Sequence, residues 1–365
     1  MGQARRAHPS TELANRDTTT ILAVDLGKFK SVACVYRRGG GGTPAFHTVA
    51  STREALLGLL DRVAPAVVVI EACALAGWVH DLCVARGLPC KVANTASEAW
   101  RFKHLKRKTD RDDALRLAQL EDLGQLPTVC LPPAEVRQRR SLILARQRLV
   151  GLRVRAQNRL RSLLMMQGLE APRGAAAWAA AGLAAFEAQA RPLAECPPAE
   201  AWRGLVHLAL AEYRQALAWV EEVEAQLDAL GRADEQVRRL RTVPGVGPRT
   251  AEVVSAYLHQ PKRFRTGKEV GAYAGLVPRQ SQSGESDRRG RITRRGPGVL
   301  RKLLVECAWA MLRYNRWAAA LYARLSRGRA RKKQAIVALA RRLLVRCWAM
   351  LRDGSDWRDE AAAGA

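Results

Sequence analysis

Between residues 19 and 93 the apolar positions come in short runs, and beyond residue 110 they come mostly at helical spacing. Runs at 21–25, 31–36 and 45–50, the last after a glycine-rich turn at 39–42, predict three β-strands. A helix over 52–62, a strand over 66–71, a helix over 75–85, a strand over 90–93 and a helix over 110–123 follow. Three strands joined by short loops, then alternating helix and strand, is the order of an RNase H-like fold. In that order the first and fourth strands are neighbours.

The segment Leu131-Pro-Pro133 breaks the chain. Two long helical patterns, 134–168 and 199–231, are rich in Arg, Leu, Ala and Glu and are separated by an Ala/Pro-rich stretch at 171–198. Helices of this length with few caps predict an antiparallel hairpin or coiled coil projecting from the body. Further helices are expected over 299–312 and 334–351. The predicted class is therefore α/β plus α: a leader at 1–18, an RNase H-like domain at 19–130, a helical arm at 131–235, a mainly helical C-terminal domain at 236–351 and a flexible tail at 352–365.

Charge narrows the function. The 365 residues carry 61 Lys and Arg against 34 Asp and Glu, a net charge of +27. So large an excess points to a polyanionic partner, because neutralising phosphates releases counterions. The basic residues are spread over several segments rather than gathered in one amphipathic helix, which favours nucleic acid over a membrane surface. The eight cysteines include no C-x-x-C pair, so neither a disulfide framework nor a zinc site is expected. No signal core and no membrane-length apolar stretch occur, and the expected location is cytoplasmic.

Four acidic residues carry the candidate chemistry. Asp25 and Glu71 end the apolar runs of the first and fourth strands, and Asp110 and Asp113 open the helix after residue 108. Residues three apart lie about 60° apart around a helix, so these last two carboxylates face one way while Asp112 points elsewhere. Carboxylates at the end of a buried strand pack poorly but suit a hard cation such as Mg²⁺, and two ions can act on the attacking and leaving oxygens of a phosphodiester. Farther on, Gly245 and Gly247 in Val243-Pro-Gly-Val-Gly247 resemble the turn of a helix-hairpin-helix module, where backbone N–H groups approach phosphate. Arg288, Arg289, Arg291, Arg294 and Arg295 form a basic segment suited to phosphate contacts. Just before it Ser283, in a polar loop, is a candidate nucleophile.

Taken in order, these motifs resemble the IS-one-ten insertion-sequence transposases. The resemblance is carried by Val-Asp-Leu-Gly-Lys, Ile-Glu-Ala, Lys-Thr-Asp-x-x-Asp-Ala, Val-Pro-Gly-Val-Gly, Gly-Leu-Val-Pro-Arg-Gln-Ser-Gln-Ser-Gly-Glu and Arg-Gly-Arg-Ile-Thr-Arg-Arg-Gly, and covers roughly residues 20–320. It implies a RuvC-like domain in which Asp25, Glu71, Asp110 and Asp113 hold Mg²⁺, two ions per site. A coiled-coil region and a C-terminal transposase domain would follow. Ser283, selected over Ser281 and Ser286 by its Ser-Gly match, would form a covalent phosphoserine link to DNA. The implied partners are the DNA of element ends and target, a non-coding guide RNA from the element, and further copies of the chain as a dimer or tetramer.

Two other functions fit the same residues. In a Holliday-junction-type nuclease the four acids would hydrolyse DNA with water and Ser283 would be structural. In a basic DNA- or RNA-binding scaffold nothing would depend on Asp25. A recombinase is set apart by a protein–DNA bond and rejoined strands.

Overall fold

The computed structural model describes residues 19–95, 97, 109–283, 286–326 and 331–358. The expected leader at 1–18 lies outside them. The chain divides into two compact units, Met1–Arg137 and Gln138–Ala365.

The first unit is built on a five-stranded sheet. Its elements are β1 (Thr20–Asp25), β2 (Lys30–Arg37), β3 (Ala45–Ala50), α1 (Arg53–Val63), β4 (Val67–Glu71), α2 (Ala76–Ala85), β5 (Cys90–Ala93) and α3 (Asp110–Asp122). The strand order is β3-β2-β1-β4-β5, with β1 antiparallel to β2 and parallel to β4. This is the RNase H-like order expected, with the first and fourth strands side by side.

Both central strands are buried on both faces, which is why their sequences are unbroken apolar runs. On one face Leu22, Val24, Val68 and Ile70 pack against α1 and α2 through Leu56, Leu59, Val79 and Leu82. On the other, Ile21, Ala23, Val67 and Val69 pack against Ala114, Leu117 and Ala118 of α3. Thr109 caps α3, accepting from the Asp112 amide at 3.2 Å, and its hydroxyl donates to the Asp112 carboxylate at 2.7 Å. Asp112 is thereby part of the cap, consistent with its pointing away from Asp110 and Asp113.

In the second unit α4 (Ala134–Met166), α5 (Ala180–Glu187) and α6 (Ala201–Arg232) form the arm. Arg146 pairs with Glu224 and Arg159 with Glu212, so partner numbers fall on α6 as they rise on α4 and the two helices are antiparallel. The stretch between them folds back onto the pair. Trp178 stacks on Phe186 at 5.6 Å and lies 5.0 Å from Tyr213, closing a small core with Leu160, Val206 and Leu210.

The remaining elements are α7 (Glu235–Leu240), α8 (Pro248–Leu258), α9 (Gly267–Tyr273), β6 (Pro278–Ser283), β7 (Ser286–Ile292), α10 (Gly298–Tyr314), α11 (Arg316–Ser326) and α12 (Lys332–Asp353). Their shared core includes Leu240, Leu258, Leu300, Leu304, Leu339 and Leu344. This part is mainly helical, with one correction. The polar loop and the basic segment after it are the two strands of an antiparallel hairpin. Helix α11 is a further element that the apolar pattern did not single out. The start of the expected flexible tail is fixed as well. The Trp357 amide donates to Thr242 Oγ1 at 3.0 Å, Arg239 bonds the Gly354 carbonyl, and the Arg346 guanidinium sits between Trp317 and Trp357 at 4.7 and 4.1 Å from the ring centres.

Candidate active site and nucleic-acid interface

The register of the sheet places the first two acids. Val24 of β1 pairs with Ile70 of β4, so Asp25 and Glu71 are the next residues at the ends of adjacent parallel strands. Alternation along a strand puts Asp25 with Ile21 and Ala23, and Glu71 with Val67 and Val69, on the face that α3 covers.

The other two acids follow from the direction of α3. Near its C-terminus the buried Glu121 accepts from Lys91 at 2.7 Å and from Arg38 at 3.5 Å, and Asp122 accepts from the Gly39 amide at 3.1 Å. Residues 38 and 39 follow β2, whose Arg37 pairs with Thr20 at the start of β1. The C-terminus of α3 is thus tied to the start of β1, and its thirteen residues, about 20 Å of helix, match the length of the six-residue strand. Its N-terminus, with Asp110 and Asp113, therefore lies at the end of the sheet where Asp25 and Glu71 stand. Asp113 adjoins the buried Ala114 on the packed stripe; it is half-buried, as are Asp25 and Glu71, and Asp110 is exposed.

The four carboxylates thus share one end and one face of the sheet, and as hard oxygen donors they fit a divalent cation of the Mg²⁺ type. They are not drawn into a coordination cluster: among the described residues no three acidic, histidine or cysteine side chains gather to hold a metal ion. Asp25, Glu71 and Asp113 each have an interaction partner in the protein.

In the second unit Ser283 is the last residue of β6 and pairs with Ser286, while Ser281 pairs with Arg288. Cross-strand partners and alternate residues share a face, so Ser281, Ser283, Ser286 and Arg288 all line one side of the hairpin, and all are exposed. Arg291, Arg294 and Arg295 are exposed too; the side chain of Arg289 lies outside what is described.

The root of this hairpin is rigid. A Cβ on Gly275 would meet the Arg295 carbonyl at 2.0 Å, and one on Gly296 the Tyr273 carbonyl at 2.0 Å. Arg294 adopts a left-handed backbone at φ 56°, and its amide donates to the Gly275 carbonyl at 3.2 Å. Arg301 Nη1 donates to the carbonyls of Ala274, Arg295 and Gly296 at 3.0–3.1 Å. Burial, and then the charge of Arg294, push the Arg301 pKa down. Sequence reasoning missed Arg301, because a lone arginine in a basic stretch gives no sign that it binds carbonyls instead of phosphates.

The two glycines of the 243–247 turn differ. Gly245 has φ +91°, and a Cβ there would meet Met311 at 2.8 and 3.0 Å; Asn315 also donates to the Pro244 carbonyl at 3.3 Å. Packing on α10 accounts for Gly245. A Cβ at Gly247 would meet nothing, so the start of α8 is open there. Several arm arginines are similarly occupied: Arg139 pairs with Asp234, Arg140 donates to the Ala256 carbonyl and Arg161 to that of Gly174.

Comparison with known proteins joins the two regions. Residues 22–166, which contain all four acids, match the IS110-type DEDD model described as "Transposase". Residues 237–323, which contain the turn and the hairpin, match "Transposase IS116/IS110/IS902 family". A "Probable family 20 transposase" of Pseudomonas aeruginosa is 33% identical over 69% of this chain and 73% of its own length. The chain belongs to the IS110 transposase family. The "Transposase for insertion sequence element IS1111A" of Coxiella burnetii is 28% identical over 93% of this chain and 91% of its own length.

 A solved structure of Thermus thermophilus RuvC overlaps 30% of this chain at 16% identity and a TM-score of 0.22. The strand order, not that overlap, identifies the fold. The transposase has no helix among its described residues long and apolar enough to cross a membrane.

Proposed function

We propose that this transposase excises and inserts its element by cutting and rejoining DNA through a phosphoserine link, with the four acids as its metal-binding half. The observation that carries the reading is the convergence of Asp25, Glu71, Asp110 and Asp113 on one end and one face of the sheet from three separate elements. Mg²⁺ held by these carboxylates would supply Lewis-acid stabilisation of charge on the phosphodiester. Ser283 is the nucleophile: its Oγ–P bond forms as the P–O bond to the leaving strand breaks, its proton goes to a base, and the leaving oxygen takes up a proton. Rejoining is the reverse, with a strand hydroxyl displacing Ser283. Arg288, Arg291, Arg294 and Arg295 bind phosphates around the break, and Gly247 leaves room for a phosphate at the start of α8. By the family resemblance, a guide RNA from the element selects the DNA, and the working form is a homo-oligomer.

The test is to incubate the full chain with DNA spanning its element's ends, RNA transcribed from the element and Mg²⁺, then to look for DNA that migrates with protein after denaturation. The adduct should form with the wild type and not with Ser283→Ala or Asp25→Asn. If Ser283→Ala keeps the adduct and Ser281→Ala or Ser286→Ala loses it, the nucleophile is the other serine of that face. Cleavage without any adduct would overturn the serine mechanism in favour of a water-based nuclease.

A further inference from the structure

Phe29 is the most exposed large apolar side chain among the described residues, with 75% of its surface open to solvent. It lies in the turn between β1 and β2, four residues after Asp25, at the sheet end where the four acids stand. Lys28 and Lys30 flank it, both exposed, and Lys28 Nζ sits 4.9 Å from the ring centre.

The backbone beneath the ring is anchored. The Phe29 carbonyl accepts from the Ser51 amide at 2.9 Å, Ser51 Oγ donates to the Gly27 carbonyl at 2.7 Å, and the Ser31 and Ser51 hydroxyls are 2.8 Å apart. A Cβ on Gly27 would strike the Lys30 carbonyl at 2.2 Å, so the turn closes tightly at that point. A loosely held Phe could fold down and recover about 2 kcal/mol of burial. This one is displayed on a fixed turn, with a cation over the ring and a second lysine beside it. Aromatic rings between cationic side chains form stacking platforms for unpaired bases, the lysines neutralising the flanking phosphates.

We infer that Phe29 stacks on an unpaired nucleobase of the DNA strand led to the acidic site, with Lys28 and Lys30 on the adjoining phosphates. The inference rests on the proposed cutting role of that site, because it uses the site's position to say which strand the ring meets. It identifies the ligand as single-stranded DNA, since a base inside a duplex offers no free face.

The experiment uses the full chain with a single-stranded deoxyoligonucleotide carrying one 2-aminopurine, a duplex control, and a set of oligonucleotides each with one abasic position. Phe29→Ala should weaken single-strand binding about 5- to 140-fold, the range given by ~1–3 kcal/mol of stacking at tenfold per 1.4 kcal/mol. Duplex affinity and the salt dependence should stay as they are, because no charge is lost. Phe29→Leu should be as weak as Phe29→Ala and Phe29→Trp should restore binding, with 2-aminopurine quenched by the wild type and Phe29→Trp alone. At one abasic position the wild type should fall to the level of Phe29→Ala. Equal single-strand affinity for the wild type and Phe29→Ala overturns the inference. So does full rescue by Phe29→Leu, or a change in sedimenting mass with DNA affinity intact, which would make Phe29 a protein contact. Asp25→Asn separates the two readings. If it still cuts DNA, the acidic-site reading fails while stacking is judged on binding alone; if it is inactive and Phe29→Ala binds normally, only the stacking inference fails.

Discussion

Replacing Arg301 should loosen the hairpin that carries Ser283 without unfolding the unit around it. Nη1 has two hydrogens to share among the carbonyls of Ala274, Arg295 and Gly296, so the contact amounts to about two charge-assisted bonds. At roughly 1.5–3 kcal/mol each for a well-buried bond, and less here because two of the three contacts are exposed, the loss on Arg301→Ala is about 2–3 kcal/mol. Part of the gain from those bonds in the wild type goes to offset the burial and the neighbouring Arg294 charge that lower the Arg301 pKa. The bonds affected hold the two ends of one excursion of the chain, between α9 and α10, so the opening should be local.

Amide hydrogen exchange reads this directly. The Thr293 amide donates to the Val277 carbonyl at 2.8 Å and that of Arg294 to the Gly275 carbonyl at 3.2 Å. Their exchange should speed up about 30- to 140-fold, the factor that about 2–3 kcal/mol sets at tenfold per 1.4 kcal/mol. Exchange in α8 and α12 should not move. Arg301→Lys keeps the charge but not the fork of donors and should fall between the two. Unchanged exchange at Thr293 and Arg294 in folded Arg301→Ala would refute the assignment of Arg301 as the hairpin's anchor.

Other outcomes follow from the same kind of argument. Burial, helped by the charges of Arg263 and Arg140, pushes His259 down to about 4 from an ordinary 6.5; the unfolded chain therefore takes up a proton that the folded chain refuses, and stability falls as pH drops from about 6.5 to 4. Because the ring is only partly enclosed, His259→Gln should remove about 1–2 kcal/mol of that fall, measured by urea denaturation at pH 7 and pH 4.5. Gly245→Ala should destabilise the protein by about 2–4 kcal/mol through left-handed strain and the Met311 contact, whereas Gly247→Ala should leave thermal stability unchanged and, if a phosphate sits there, weaken DNA binding. Asp234 caps α7 and takes bonds from Arg139 and Ser255 that outweigh its burial and hold its pKa low; Asp234→Ala should cost about 3–5 kcal/mol by leaving Arg139 enclosed without its partner, and the double variant with Arg139→Met should recover part of that loss.

The sheet and the placement of the acids were legible because burial on both faces leaves one mark in sequence, the unbroken apolar run, and each run here ends on a carboxylate. Asp110 and Asp113 could be assigned to one face from helical spacing alone. The tie that fixes the direction of α3, through Glu121 to Lys91 and Arg38, could not be seen, because it joins residues 30 and 83 positions apart. The hairpin was hidden for a different reason. Every described residue of β6 is exposed, so neither face carries an apolar alternation that would mark a strand. Helix α11 is short, and its apolar face, with Ala318 and Leu321 buried, is filled largely by alanine and so stands out little.

The same contrast bears on where nucleic acid binds. With 61 basic and 34 acidic residues, cations outnumber carboxylates by 27. The arm, rich in arginine in the sequence, spends much of it internally: Arg139, Arg146 and Arg159 on carboxylates, Arg140 and Arg161 on backbone carbonyls. Ion pairs of this kind release few counterions when DNA arrives, because the guanidinium already has its anion. Arg288, Arg291, Arg294 and Arg295 stand exposed around a hairpin whose β6 buries nothing, whose described β7 residues reach the core only through Ile292 at its end, and whose two strands are too few to be stable on apolar packing. An element that contributes so little to the core, yet is fixed at its root by two glycines and Arg301, is shaped to present its polar face to something else. The salt dependence of DNA binding should therefore follow substitutions at Arg288 and Arg291, at about one unit of slope for each lost phosphate contact, and should scarcely respond to Arg146→Gln or Arg159→Gln. Equal slopes lost from arm and hairpin, measured by titration over a range of salt, would mean that the arm's ion pairs open to meet the DNA.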